Sequence, residues 1–240
     1  MKNRLISYAI LTFLTIPTAF PFDLKHGDTV LQVGGFVSTS GKAQHIDING
    51  ALGDDFSVHD RNDSNALLGL GYWLNGGESS LWHLSYGLNA FYLGKTQITG
   101  EITQESLFTN LAYRYNINHF PVFALAKASL NSQQNKNYSF SFDAGVGPNF
   151  LYTSHYHDYS LDGGMTLPDR AFSGKHETVF SATAGVTIKI NQFSKVYPFE
   201  CGYRFFYLGQ SELRRNTDQL LNTLKTGHNY ANALICSVTV

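Results

Sequence analysis

The chain has little charge, only two cysteines and, after its N-terminus, no long apolar run. Charged residues make up 15% of it, against about 25% in typical soluble domains. Because a soluble β-protein needs charge on its outer face, this scarcity disfavours a soluble fold. No later stretch approaches the roughly 18 apolar residues of a spanning helix, so any membrane insertion must use β-structure. No cluster of Lys or Arg indicates a nucleic-acid partner.

The N-terminal segment has the pattern of a secretory signal. Lys2 and Arg4 supply a positive start, and residues 5–16 are mostly apolar. We therefore expect residues 1–19 to be a signal peptide, cleaved near its end, and residues 20–240 to form one exported domain.

A two-residue alternation of apolar and polar residues recurs through the exported segment. In 179–190 one face carries Phe, Ala, Ala, Val, Ile and Ile, and the other carries Ser, Thr, Gly, Thr and Lys. This period is that of a β-strand with one apolar side and one polar side. The pattern predicts strands near 29–38, 64–74, 79–95, 105–117, 121–131, 138–147, 149–159, 177–190, 195–211 and 229–240.

The segments between these strands alternate in length. Short turns are expected at 75–78, 118–120 and 191–194, and long loops at 39–63, 160–176 and 212–228. Short turns at one end and long loops at the other are typical of outer-membrane barrels. If Pro148 and Asn149 form a turn, the barrel has ten strands, which we favour. If that region belongs to one strand, and one further pair of strands merges, it has eight.

Two glycine-containing strand patterns, at 66–72 and 143–150, support this interpretation. With the repeated strands, they make residues 28–240 resemble the small bacterial outer-membrane barrels: the transmembrane domain of outer-membrane protein A and the opacity-type and W-type surface proteins. The resemblance implies an all-β, antiparallel up-and-down barrel in the outer membrane of a Gram-negative bacterium, placed there by the barrel-insertion machinery. The chain departs from this family at Val240, where the usual final aromatic is missing.

The same alternation could also build a soluble, lipocalin-like barrel or sandwich, whose apolar face points inward. Segment 82–92 argues against that alternative. One of its faces carries Trp, Leu, Tyr, Leu, Ala and Tyr, with aromatics near both ends, as on a lipid-facing surface. The other face carries His83, Ser85, Gly87 and Asn89, which suits a narrow polar lumen.

Charges inside the predicted strands are candidates for the lumen. Lys127 and Asp143 lie on polar faces of consecutive strands, and hairpin register makes them cross-strand neighbours. Lys189 and Glu200 also face the lumen, but a turn at 191–194 offsets them by about four residues, roughly 13 Å at the strand rise.

Two arginines, Arg114 and Arg204, are candidate partners across the lumen. Together with the four charges above they form a predicted lumen charge network. Such ions, paired, would plug a narrow lumen, since unpaired buried charge is costly. The alternative is a charge-lined pore or gate.

The two cysteines, Cys201 and Cys236, lie among apolar residues on the lipid-facing phase of neighbouring strands. Register places them close together without making them clearly opposite. An exported protein meets an oxidising compartment that permits a disulfide, whereas cross-strand geometry is often poor for one. The sequence leaves both states open.

Histidines provide the remaining chemical candidates. His155 and His157 share a strand face and could bind a divalent metal, but two solvated rim histidines are the simpler interpretation, so we expect no metal or cofactor. His83 with Ser85, and Ser154 with His155, could belong to a membrane-embedded hydrolase. Spacing places no carboxylate beside either pair, so we predict no catalytic residues and no enzyme.

The sequence thus predicts a surface protein with a largely plugged, ion-paired lumen. The resemblance implies a structural or surface-interaction role, in adhesion or envelope stability, with contacts to outer-membrane lipid and to a host or extracellular ligand through the long loops. The alternative is a small porin or a channel for small or hydrophobic solutes.

Overall fold

The computed structural model describes residues 27–130, 138–190 and 198–240. These residues form twelve β-strands. In chain order they are β1 (Asp28–Thr39), β2 (Gln44–Ile46), β3 (Asp54–Phe56), β4 (Asn62–Glu78), β5 (Trp82–Gln104), β6 (Phe108–Leu130), β7 (Tyr138–Ser160), β8 (Phe172–Ser173), β9 (His176–Ile190), β10 (Phe199–Glu212), β11 (Arg214–Arg215) and β12 (Lys225–Thr239).

Eight of these strands close into a barrel in which every pairing is antiparallel. The order around the ring is β1, β4, β5, β6, β7, β9, β10 and β12, and β12 pairs with β1 from Val30–Thr239 to Thr39–Tyr230. Closure leaves the ring without an unpaired edge strand, as a membrane-spanning sheet requires.

The favoured count of ten strands is wrong, because two expected turns lie inside continuous strands. β7 runs through Pro148 and Asn149, which stay paired with Phe180 and Val179 of β9. On its other edge β7 pairs with β6, and the register of this pairing is the same before and after Pro121 and Pro148. Pro121 pairs with Asn149, and the next pair is Ala124 with Val146. Proline removes a donor there without turning the chain.

The second expected turn, at 118–120, is also strand. Residues 118–120 of β6 pair with Tyr152, Leu151 and Phe150 of β7. The eight-stranded alternative, with both mergers, is therefore the one observed. The turn expected at 191–194 and the signal peptide at 1–19 lie outside the described residues.

The outward face of the ring is apolar over a continuous belt. Exposed aliphatic and aromatic side chains of this belt include Leu31, Val33, Leu68, Leu70, Leu88, Phe142, Val146, Phe180, Val186, Tyr203 and Leu234. Aromatics mark its two margins, with Trp82 and Tyr138 towards one end and Tyr92 against Phe120, 4.8 Å between ring centroids, towards the other. This is the banding of a lipid-facing barrel surface. No described helix is long and apolar enough to cross a membrane.

The two ends of the barrel differ. Gly27 and Val240 lie at the end where β4 meets β5 through a short turn, and Val240 N donates to Thr29 O at 2.9 Å. At the other end β5, β6 and β7, each 23 residues long, project well past the belt, since a membrane strand needs only about 9–11 residues.

Loop segments cover the projecting end, which we call the outer cap. β2 and β3 form a hairpin that pairs with the far end of β5, and β8 pairs with β11. Ile48 bridges to Leu220 across two loops. Residues 217–224 form bends and a turn before β12 begins at Lys225.

Candidate functional site in the barrel lumen

The lumen is lined by the inward residues of all eight ring strands, and its floor is a charged layer. Lys127 Nζ of β6 lies 2.5 Å from Glu200 Oε2 of β10. The same ammonium lies over the Trp73 ring, 5.6 Å from its centroid, at cation–π distance. Ser129 and Ser141 share a hydrogen bond at 2.9 Å beside this layer.

A second ion pair lies deeper in the lumen. Arg204 Nη2 is 2.6 Å from Asp143 Oδ1, and these side chains are only 5% and 2% exposed. The guanidinium also lies 5.5 Å from the Phe91 centroid. A Cβ added at Gly185 would lie 3.0 Å from Asp143 Oδ2 and 3.3 Å from an Arg204 nitrogen. The glycine therefore keeps space open for the pair.

The ion pairs connect across the lumen rather than along a hairpin. Lys127 and Asp143 are cross-strand partners in the β6–β7 register, the relationship that spacing predicts. Yet each bonds to a residue of β10: Lys127 to Glu200, and Asp143 to Arg204. In a barrel of eight strands, side chains reach across the narrow interior as readily as along it.

Two members of the predicted network, Lys189 and Arg114, take no part in these two ion pairs. Lys189 stands directly opposite Glu200 in the β9–β10 register, so the expected offset of about four residues between them is wrong. Among the described residues no ion pair includes Lys189. Arg114 is exposed on β6 above the belt and does not line the lumen; beyond the belt the outward face is free to carry charge.

An apolar layer lies above the charged layers. Phe91, Phe123 and Phe206 meet there, with centroids 5.3–6.2 Å apart. Other buried members of this cluster are Phe36, Leu67, Leu93, Leu125, Leu208, Ala231 and Ala233, and Val30, Trp73 and Ile235 extend it towards the floor. Phe123, Phe206, Leu67 and Leu93 are all 0% exposed. The expectation of a wholly polar lumen is therefore too simple: polar side chains line its lower part and apolar ones fill its middle.

Buried polar groups continue above the apolar layer. Asn149 Nδ2 donates to Leu208 O at 2.7 Å and contacts His119 Nδ1 at 2.9 Å, and both side chains are fully buried. Further out, Tyr113, Tyr115, Ile117 and Leu151 belong to the apolar core of the outer cap. Within the described residues, buried side chains thus lie at several levels between the charged floor and the cap.

Several polar atoms of the lower lumen have no hydrogen-bond partner in the described protein. They are Gln32 Oε1, both amide atoms of Asn89, Thr187 Oγ1 and Arg204 Nη1. Buried polar groups of this kind are ordinarily satisfied by water. The lower lumen is therefore chemically suited to hydration, unlike the layer above it.

Comparison with known proteins agrees with this architecture. No protein-family model and no curated protein matches the chain. Among solved structures, the outer membrane protein OprG from Pseudomonas aeruginosa is 13% identical, with 89% of this chain and 96% of that chain covered and a TM-score of 0.52. Neisserial surface protein A is 12% identical, with 90% of this chain and 98% of that chain covered and a TM-score of 0.42. Ail from Yersinia pestis is 13% identical, with 90% of this chain and 99% of that chain covered and a TM-score of 0.36.

The chain has the fold of a small outer-membrane β-barrel. The predicted class, an all-β antiparallel barrel, is confirmed. A closed barrel with an apolar outer belt and aromatic margins is an outer-membrane architecture, so lipid covers the belt and the outer membrane is the protein's location.

On the lipid-facing side of this barrel, Cys201 and Cys236 are directly opposite in the β10–β12 register. The structure joins them by a disulfide that spans 35 residues of sequence. The bond lies towards the end of the barrel that carries Gly27 and Val240, and it links two strands that already pair.

The structure places the two sets of histidine candidates at different levels of the barrel. His155 has a positive φ of 52° at a bulge between β6 and β7, and both it and His157 are exposed. His155 Nδ1 lies 3.0 Å from Ser154 Oγ, and among the described residues no carboxylate bonds to this histidine. No group of three potential metal-ligating His, Cys, Asp or Glu side chains occurs in the described part of the chain.

In the lower barrel, His83 Nε2 contacts Asn75 Oδ1 at 3.2 Å, and Ser85 stands opposite Lys127. This pair, too, has no carboxylate bonded to its histidine among the described residues. An open groove of about 700 Å³ lies outside the lumen, on the lipid-facing side of β1, beside Gly35, Ala66 and Asn232.

The outer cap has its own core and its own electrostatics. Phe56, Tyr113, Tyr156 and Phe172 pack edge to face or stacked, with centroids 5.3–6.3 Å apart. Tyr113 donates from its hydroxyl to Ser57 O at 2.7 Å. Burial raises the pKa of Tyr113 and Tyr156 well above the ordinary tyrosine value, so both hydroxyls stay protonated.

Sequence reasoning missed the apolar layer and the cap core. Phe91 and Leu93 continue the same inward phase as Ser85 and Asn89, so the period of two contains the signal that they face the lumen. The cap core depends on loop segments whose positions no alternation predicts.

Proposed function

We propose that this protein is an outer-membrane surface protein with a closed lumen, which acts through its outer cap in a structural or surface-interaction role. The observation that supports the proposal is the set of buried side chains at the middle of the interior. Phe123 and Phe206 are fully buried at its middle, and the Arg204–Asp143 pair neutralises charge beneath them. Ion flow would need these groups to move apart.

The form of the outer cap supports the same proposal. An open pore needs a hydrated entrance. The outer cap instead buries apolar side chains in a core of its own, among them Ile46, Phe56, Leu213 and Leu220. Arg215 Nη1 donates to Leu220 O, and Asn222 Nδ2 bonds to Asp47 Oδ2 at 2.8 Å. A cap held together in this way presents a defined surface to the outside.

A second candidate function is a small channel, and one observation favours it. The unpartnered polar atoms of Gln32, Asn89 and Arg204 suit a hydrated lower lumen. Such a channel would still have to pass the Phe91–Phe123–Phe206 layer. A channel for ions would give single-channel current, whereas a channel for apolar solutes would give solute uptake without current.

Two measurements test the proposal. The first compares boiled and unboiled outer-membrane fractions on a denaturing gel; we expect a shift in apparent size, as for a detergent-resistant barrel. The second records single-channel current from the purified protein in planar bilayers, with a known porin as positive control. We expect no discrete openings.

Stable openings in the wild-type protein would overturn the closed-lumen proposal. Uptake of an apolar dye into proteoliposomes without ion current would instead support the hydrophobic-solute channel. If the protein appears in the soluble periplasmic fraction and does not shift on boiling, the outer-membrane location itself is refuted.

A further inference from the structure

Large apolar side chains cluster at the outermost tip of the cap, far from the lipid belt. Phe108 is 64% exposed, Met165 83% and Leu167 78%. The tip patch, as we call it, consists of Leu52, Leu107, Phe108, Leu161, Met165 and Leu167. Single exposed apolar residues are ordinary, but contiguous sets mark interaction sites.

Hydrogen bonds hold the three segments of the tip patch together. Leu107 and Phe108 follow the β5–β6 turn, where Glu105 N donates to Asp54 Oδ1 at 3.1 Å and Ser106 Oγ to Asp55 Oδ2 at 2.6 Å. These bonds fix the turn against the segment that begins with Leu52.

The third segment is fixed from the opposite side of the turn. Leu161 N donates to Asn110 O at 2.8 Å, and Asn110 Nδ2 donates to Thr166 Oγ1 at 2.9 Å. Asp162 accepts from the Thr166 backbone and side chain at 2.5–3.1 Å. Met165 and Leu167, on either side of Thr166, are thereby held beside the turn.

The rim of the tip patch is acidic. The segments that carry the patch also carry the carboxylates of Asp54, Asp55, Glu105, Asp162 and Asp169, and Arg170 follows Asp169 in the chain. His45 is already bonded to Asp55, with Nδ1 2.7 Å from Oδ1. Among the described residues no ion pair includes Glu105 or Asp169.

Two carboxylates of the acidic rim, Asp54 and Asp169, experience repulsion from neighbouring carboxylates. Partial burial, with a smaller contribution from the Asp169 and Glu105 carboxylates, raises the pKa of Asp54 despite the opposing hydrogen bond from Glu105 N. Burial and Asp158 raise the pKa of Asp169. A cation brought to the rim would relieve this repulsion.

We propose that the tip patch is the docking surface for a partner protein segment that presents an apolar face flanked by lysine or arginine. This rests on the proposed function, because it assigns a class of partner to the outer surface. The apolar residues supply contact area at the centre, and the carboxylates supply complementary charge at the rim, as in specific interfaces. A lipid surface is a poorer fit, because its phosphates would face these carboxylates.

A binding measurement with designed peptides tests the proposal. The full-length protein in phosphatidylcholine nanodiscs is titrated with a synthetic amphipathic peptide of leucine and lysine, and with a matched peptide of leucine and glutamate. Empty nanodiscs provide the blank. We expect saturable binding of the lysine peptide above the blank and none of the glutamate peptide.

Surface variants locate the binding. Phe108→Ser/Met165→Ser/Leu167→Ser should weaken lysine-peptide binding by about tenfold or more, and Glu105→Lys/Asp169→Lys should weaken it similarly. The matched controls Leu221→Ser and Asp218→Lys change exposed residues of another loop and should leave the affinity unchanged. Because all these side chains are exposed, the gel shift on boiling should persist in every variant.

Equal binding of the two peptides, or wild-type affinity in the tip variants, would overturn the proposal. Binding of the tip to phosphatidylcholine vesicles, lost in the serine variant and without peptide binding, would make lipid the partner instead. Current recordings on the same preparations separate the two proposals. A conducting protein that binds the peptide refutes only the closed lumen, and a silent one that does not bind refutes only the docking surface.

Discussion

Arg204 of β10 reaches past β9 to Asp143 of β7, with Nη2 2.6 Å from Oδ1. These two strands are not neighbours in the ring, because β9 pairs with both. Gly185 of β9 stands opposite each of them and has no side chain to obstruct the contact. The pair therefore ties three strands together through the lumen.

Removing one partner of this pair should cost stability. Arg204→Met leaves the Asp143 carboxylate buried and unpaired, so we expect a loss of about 3–5 kcal/mol in the free energy of unfolding. Urea titration of the refolded protein in detergent micelles measures it. Lys127→Met is the matched control: its pair is more exposed, 16% and 13%, so its loss should be smaller. A smaller loss for Arg204→Met than for Lys127→Met would contradict the assignment of Arg204–Asp143 as the deeper pair.

The disulfide between Cys201 and Cys236 should stabilise the barrel without affecting its pairing. It closes a segment of 35 residues, for which chain-entropy arguments give about 2–4 kcal/mol. Cys201→Ser/Cys236→Ser should fold, shift on boiling and unfold at lower urea concentration than the wild type. Thiol titration of the unreduced, denatured wild type checks the bond directly: two free thiols would show that it is not formed.

Sequence periodicity was sufficient for the fold class because a period of two assigns faces without knowledge of pairing. Phe180, Val186 and Leu88 face outward as their phase requires. The strand count was not accessible in this way. Pro148 favours a turn by local propensity, but the β7–β9 ladder holds it in strand, so tertiary pairing overrides the local preference.

The charged site could be predicted only in part. Register within one hairpin correctly placed Lys127 opposite Asp143, since the loop length fixes that relationship. The ion pairs join strands that are not neighbours in the ring. Residue spacing predicts contacts only between neighbouring strands, so it cannot predict contacts across the lumen. For Lys189, the turn length assumed in the prediction gave the wrong register with Glu200. For Arg114, the alternation of polar and apolar residues gave no sign that β6 continues beyond the lipid belt.

The belt residues should be intolerant of charge in proportion to their depth. Val186 of β9 faces outward between Phe142 and Tyr203 of the neighbouring strands. Val186→Lys should therefore lower the free energy of unfolding in lipid by about 2–4 kcal/mol. Met165→Lys, at the exposed cap, is the control and should change it by less than about 0.5 kcal/mol. Equal effects at the two positions would mean that lipid does not contact β9 at Val186, which would refute the belt as defined here.

The β2–β3 hairpin of the cap should respond to pH through His45. Its Nδ1 lies 2.7 Å from Asp55 Oδ1, and its Nε2 3.6 Å from Asp47 Oδ1. The hydrogen bond to Asp55, with the charges of Asp55 and Asp47, raises the pKa of His45 above 6.5. Hydrogen bonds from Ser106 and then from His45 lower the pKa of Asp55, so its carboxylate stays charged when the histidine becomes protonated.

A raised histidine pKa fixes the direction of the effect. The ionic contact stabilises the hairpin fully below the unfolded pKa of about 6.5 and is lost as pH rises through the higher folded value. Amide hydrogen exchange, corrected for its intrinsic pH dependence, should therefore show residues 44–56 more protected near about pH 6 than near about pH 8. His45→Gln should abolish that difference. His59→Gln, whose parent ring lies 3.8 Å from Glu101 on an exposed surface, should preserve it. Protection that rises with pH, or a difference that survives in His45→Gln, would show that another group controls the hairpin.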